Sequence, residues 1–185
     1  MTFIEDTKKV LADYQSAYTE LTGKRMELQD RFKRDRISGS VYAESKKELD
    51  AQFDELYKTT QADLWHIFES YRDSLSDRYA VTSDRVNQDD LALMGQDLVK
   101  LSADDLTRMF EKYRAEDNVP MMEAVRAYED KAQTGASLTF FSRAQREGAA
   151  ERYIGGCMAS IQDIHGLQFG YYASAAAVPP ELQGE

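Results

Sequence analysis

The chain has 185 residues, 33 acidic against 23 basic side chains, a formal charge of −10 and three prolines. That length suits one domain with a sizeable core, or a helical arm attached to a smaller globular part. The acidic balance argues against a general nucleic-acid binder, because the average surface repels a polyanion. No stretch approaches the ~20 consecutive apolar residues of a membrane span, and the first residues lack the basic and apolar regions of a secretory leader. The expectation is a soluble, cytoplasmic protein with no membrane partner. A lone Cys157 makes no internal disulfide, which suits a reducing compartment.

Proline breaks helices by removing a donor and crowding the preceding turn, and Pro120, Pro179 and Pro180 leave the long tracts intact. The fold class expected is all-α: a long antiparallel helical hairpin plus a smaller bundle of short helices. The first helix, from Thr2 to Arg34, opens on Thr2-x-x-Glu5, a capping-box pattern. Its seam reads Ile4, Thr7, Leu11, Tyr14, Tyr18, Leu21, Arg25, Leu28, Phe32, a heptad with two polar interruptions. At ~1.5 Å per residue it is about 50 Å long. Gly23, beside the seam, costs about 1 kcal/mol relative to alanine and would suit a bend or a close crossing.

The second helix, from Val41 to Tyr79, follows Ile37-Ser38-Gly39-Ser40, with Ser40 as the expected N-cap. Its seam is Phe53, Tyr57, Thr60, Leu64, Phe68, Tyr71, Leu75, Tyr79, and the spacing repeats after eleven residues, Phe53 to Leu64 to Leu75. An eleven-residue period stays near the pitch of a straight helix, whereas a heptad winds left-handed. The two helices are therefore expected to pair near Gly39 and diverge, or to admit a further helix into the widening groove.

Shorter helices are expected next: Asn87 to Leu101 with Leu91, Met94 and Leu98 on one face; one capped by Ser102-x-x-Asp105; and one from Pro120 stopping at Gly135. Ser142-x-x-Gln145 starts a further helix through Tyr153 and Ile164 to Gly166. Residues 1–80 are read as a hairpin arm, 81–170 as a compact body and 171–185 as a flexible tail rich in alanine and proline.

No catalytic constellation stands out. Asp63, His66 and Glu69 share a helix face and would suit part of a zinc or iron site, but nothing completes the ligand set. Charge pairing along the helix explains them more simply. His165 sits where a cation caps a helix end. Cys157 lies in a small-residue patch, Gly155-Gly156-Cys157-Met158-Ala159-Ser160, that lets another helix approach closely and reads as packing rather than as a nucleophile. No catalytic residue, metal ligand, cofactor or small-molecule substrate is expected.

Three sets of residues are instead candidates for partner binding. Arg31, Lys33, Arg34 and Arg36 form the one basic cluster, at the hairpin tip. Tyr57 and Tyr71 stand among eleven tyrosines whose rings suit protein interfaces as well as thin cores. Asp89, Asp90, Asp104 and Asp105 lie in the acidic middle, where residues 81–135 carry 12 acids against 7 bases.

The run Leu101-Ser102-Ala103-Asp104-Asp105-Leu106 through Tyr113, then Asn118-Val119-Pro120-Met121-Met122 and Ala127-Tyr128, resembles small, uncharacterised helical proteins encoded near the head-assembly genes of tailed bacteriophages and prophages. The resemblance spans about a quarter of the chain, implies a role in phage morphogenesis or phage–host interaction within the host cytoplasm, and transfers no functional residue. Scaffolding proteins often end in a basic, coat-binding helix, whereas this chain ends in an alanine- and proline-rich stretch. The function expected is a non-enzymatic helical protein-interaction module of virion-assembly or scaffolding type, binding a protein partner or self-associating through the hairpin. The alternative is an acidic inhibitor of a host nucleic-acid-binding defence enzyme, of anti-CRISPR or DNA-mimic type, engaging its target by charge complementarity.

Overall fold

The computed structural model describes residues 2–96, 100–162, 167–173 and 177–183, and among them the regular structure is helical, with no strand. The helices are α1 (Phe3–Lys33), α2 (Gly39–Arg78), α3 (Gln88–Met94), α4 (Ala103–Ala115), α5 (Val119–Ala132), α6 (Arg143–Ser160) and α7 (Leu167–Ala173), followed by a 3-10 turn, Pro180–Leu182. Leu98, Ile164, His165 and Gly166, on which earlier expectations rested, lie outside the described residues.

Side-chain caps set most helix starts, because the first N–H groups of a helix have no partner within it. Thr2 and Glu5 form the expected reciprocal box at α1, and Ser102 and Asp105 another at α4. Ser142 and Gln145 exchange the same pair of bonds, at 2.8 and 3.3 Å, before α6. The hairpin turn differs from expectation. Ser38 rather than Ser40 caps α2, its Oγ accepting from the Val41 N–H at 3.4 Å, so Gly39 and Ser40 are already helical. The reversal is made earlier, by Asp35 at φ 51°: the Asp35 N–H donates to Phe32 O at 3.0 Å and the Arg36 N–H to Arg31 O at 2.9 Å. This is the Schellman arrangement, usually built on glycine but open to the short polar side chain of aspartate. Asp117, at φ 49°, ends α4 in the same way. At the end of α5 it is Gln133, at φ 51°, that stops the helix, two residues before Gly135.

The chain divides into two compact units, Met1–Tyr71 with Gly148–Glu185, and Arg72–Glu147. These boundaries differ from an arm, body and tail cut at 80 and 170: residues beyond 148 group with α1 and most of α2, and the end of α2 groups with the short helices.

In the first unit α1 and α2 run antiparallel, as their contacts show: Phe3 meets Tyr71, Tyr18 meets Phe53, Arg25 meets Asp50 and Phe32 meets Tyr42. The distal half is thin, a cluster of Leu21, Leu28 and Leu49 flanked by Ile37, Tyr42, Phe53 and Leu56. Toward the other end the groove is filled by the C-terminal elements. Tyr14 is buried and donates its hydroxyl to Ile161 O at 2.8 Å, the Phe169 ring lies 6.3 Å away, and Tyr153 reaches Phe3 at 6.2 Å. The small-residue patch has the use expected of it: Gly156 lies under the Tyr172 ring, where an added Cβ would sit 2.1 Å from a ring carbon. Ala177 and Leu182 are buried too, so part of the terminal segment packs rather than frays.

In the second unit α4 and α5 pack as neighbours with α3 against α5, around Leu106, Phe110, Tyr113, Met121 and Val125. The irregular stretch after α5 is held by two of its side chains. Arg126 donates to Leu138 O and Phe140 O at 3.3 and 3.1 Å, and the nearly buried Glu129 carboxylate accepts from the N–H groups of Thr134, Gly135 and Ala136 and from the Thr134 hydroxyl. The extended segment so held presents Leu138 and Phe140 to the core, where Phe140 meets Phe110 and Tyr79.

Two outcomes follow. At Gly23 an added Cβ meets nothing within 4 Å, so Gly23→Ala is expected to stabilise by up to about 1 kcal/mol, whereas Gly156→Ala, which displaces Tyr172, is expected to destabilise by about 1–3 kcal/mol. Thermal melts that failed to separate the two in this order would contradict the packing described. The Glu129 carboxyl is held below the ordinary glutamate range, first by the Thr134 hydroxyl and then by the backbone N–H groups. A depressed folded-state value contributes stability above the unfolded value and loses it as pH falls through the folded one. Glu129→Gln is therefore expected to melt below the wild type at pH 7, and the gap to close on acidification; a gap that persisted in acid would refute the assignment.

Candidate interaction site

Two features of the first unit combine accessibility with fixed geometry. One is the hairpin tip. Arg31, Lys33, Arg34 and Arg36 are all exposed, and the 31–36 backbone is fixed by the bonds around Asp35. Arg34 pairs with Asp30 at 3.5 Å, a contact with more than 60% of each side chain in solvent. An ion pair that exposed is screened and contributes little. Exposed apolar groups flank the same turn: Phe32, stacked on Tyr42 at 4.5 Å, and Val41, respectively 41 and 47% exposed. The tip therefore combines exposed cations and exposed apolar groups on a turn fixed by hydrogen bonds.

The second feature is a cavity of about 600 Å³ between α1, α2 and the end of α6, lined by Tyr14, Tyr18, Arg25, Asp50, Phe53, Asp54, Tyr57, Ile161 and Gln162. The half-buried Tyr57 hydroxyl accepts from Gln61 and Gln162, both at 2.7 Å, which fixes its ring. The Arg25 guanidinium lies 5.1 Å over the Phe53 ring and bonds Asp50, which also takes Lys46 at 2.6 Å. The Asp50 carboxyl is accordingly held below the ordinary range, first by the bond from Lys46. Burial pushes the Tyr14 hydroxyl above its usual value, with Tyr18 and Tyr57 adding to the effect, so it stays protonated as the donor to Ile161.

Tyr71 does not join this surface. It is buried, its ring 4.5 Å from Phe3. The acidic residues of the middle segment divide. Asp89 and Asp104 are exposed, whereas Asp90 accepts from Tyr113 and from Lys112 at 3.1 Å, and Asp105 serves the Ser102 cap and binds Arg108. Both engaged carboxyls are held below their ordinary range, Asp90 first by the Tyr113 hydroxyl and Asp105 first by the Ser102 hydroxyl. Asp63 and His66 are exposed and Glu69 half-buried, and among the described residues no three His, Cys, Asp or Glu side chains stand close enough to hold a metal ion.

The cavity itself was not read from the sequence, because it needs α6 to arrive beside α1 and α2. The available signal was Arg25, which with Thr7 interrupts the otherwise apolar and aromatic heptad of the first helix.

No protein-family model, curated protein or solved structure matches this chain. Among the described residues no helix is long and apolar enough to cross a membrane.

Cys157 is fully buried, and desolvation pushes its thiol up to about 12. The thiolate is the reactive form. Iodoacetamide at pH 8 is therefore expected to leave Cys157 unmodified in the folded protein and to label it after denaturation; rapid labelling of the native protein would contradict this burial.

Proposed function

We propose that the protein is a non-enzymatic helical interaction module, with the hairpin of α1 and α2 as the arm whose tip engages a protein partner. The observation that carries this reading is the tip: four exposed cations and two exposed apolar side chains, Phe32 and Val41, flanking a backbone turn fixed by hydrogen bonds. Preorganisation lowers the entropy lost on association, so a rigid turn serves recognition better than a mobile one. The resemblance of the 101–128 region to helical proteins encoded beside phage head-assembly genes supplies the setting, virion assembly in the host cytoplasm, with self-association through the arm as a further mode. Inhibition of a defence nuclease by the acidic middle has less support, because Asp90 and Asp105 spend their charge within the fold.

Charge reversal at the tip tests this reading. The double variant Arg31→Glu, Arg34→Glu replaces exposed side chains and the single variant Phe32→Ser removes a ring stacked on Tyr42, so each is expected to cost about 1 kcal/mol and leave the fold intact, as circular dichroism checks. Affinity purification from phage-infected cells is expected to enrich capsid-assembly proteins with the wild type and to lose them with either variant. Equal recovery with all three proteins would discard the tip as the contact.

A further inference from the structure

Helix α2 carries one combination twice, one turn apart. Asp50-x-x-Phe53 is followed by Asp54-x-x-Tyr57, each a carboxylate three residues before an aromatic ring, and the offset of four places both pairs on one face of the helix. All four residues line the same cavity.

The first pair already holds a cation. The Arg25 guanidinium lies over the Phe53 ring and bonds the Asp50 carboxylate. The second pair offers the same elements without one. Tyr57 is half-buried and its ring is fixed by Gln61 and Gln162, while Asp54 is exposed and, among the described residues, pairs with no cation. Because Asp50 is shared between Arg25 and Lys46, Asp54 is the carboxylate left open to an incoming charge.

We propose that Asp54 and Tyr57, with Tyr18 alongside, form a second guanidinium subsite that takes an arginine side chain of a partner protein. The proposal rests on the interaction-module reading and names the partner's chemistry. Arginine fits better than lysine, since its planar group can stack on the ring while its fork of donors meets the carboxylate, whereas an ammonium is a compact, strongly hydrated charge. Ring and carboxylate act together on one cation, the arrangement the chain itself uses at Arg25.

The test is a titration of the full chain with N-acetyl-arginine amide, followed by amide and tyrosine-ring NMR shifts. Saturable shifts are expected at Tyr18, Asp54 and Tyr57, with N-acetyl-lysine amide weaker and the neutral N-acetyl-citrulline amide inert. Asp54→Asn is expected to weaken arginine binding about tenfold, and because Asp54 is exposed the variant keeps the fold. Equal shifts with citrulline, or an unchanged titration in Asp54→Asn, would overturn the subsite. Such a failure, with the tip variants still losing their partner, removes the subsite and leaves the interaction reading standing. Arginine binding that persists while the tip variants recover their partner normally keeps the subsite and removes the tip.

Discussion

The hydrogen bond from Tyr14 to the Ile161 carbonyl is the contact on which the first unit turns. Two helices of 31 and 40 residues, paired through long side chains, bury little apolar surface by themselves. Their seams follow different periods, which works against a self-contained two-stranded coil, and the apolar surface left between them needs a cover. Tyr14 joins cover to groove: its ring is buried between them and its hydroxyl donates to the Ile161 carbonyl at the end of α6. With α6 placed there, Gly156 meets Tyr172, and Tyr153 donates to the Tyr172 carbonyl at 3.1 Å. The cavity beside Tyr57 is what the cover leaves open.

The second unit obeys the same constraint, that buried backbone polar groups find partners. The segment after α5 has neither helix nor sheet to supply them, so α5 does. Arg126 provides donors for two carbonyls and Glu129 provides acceptors for three N–H groups, and this lets Leu138 and Phe140 enter the core of a unit that lacks a second layer of regular structure there. Helical spacing gives no hint of either role, since both residues look like ordinary members of a charged face.

The charges of the chain divide into engaged and available ones, a distinction that net charge hides. Much of the acidic middle is consumed by caps and by bonds to Tyr113, Lys112 and Arg108, and Tyr71 is consumed by packing. The cations at the tip and the carboxylate of Asp54 remain accessible. The cations lie at the distal end of the hairpin, whose cluster is Leu21, Leu28 and Leu49, and Asp54 lines the cavity.

The all-helical class, the extents of α1 and α2 to within a few residues, their seams, and the caps at Thr2, Ser102 and Ser142 were legible in the sequence, because caps and periodicity are set within one turn of the residues that cause them. The tip residues were legible for the same reason, as a local charge cluster. Turns were less so: glycine drew attention to residues 39 and 135, whereas Asp35 and Gln133 take the left-handed conformation, a choice made by the bonds of the surrounding chain. The grouping of residues beyond 148 with α1, the burial of Tyr71 and Leu182, and the cavity with its paired carboxylates were decided only in three dimensions. Each depends on which surface covers which, and that is a property of packing between segments more than a hundred residues apart, as Tyr14 and Ile161 are, rather than of any one helix.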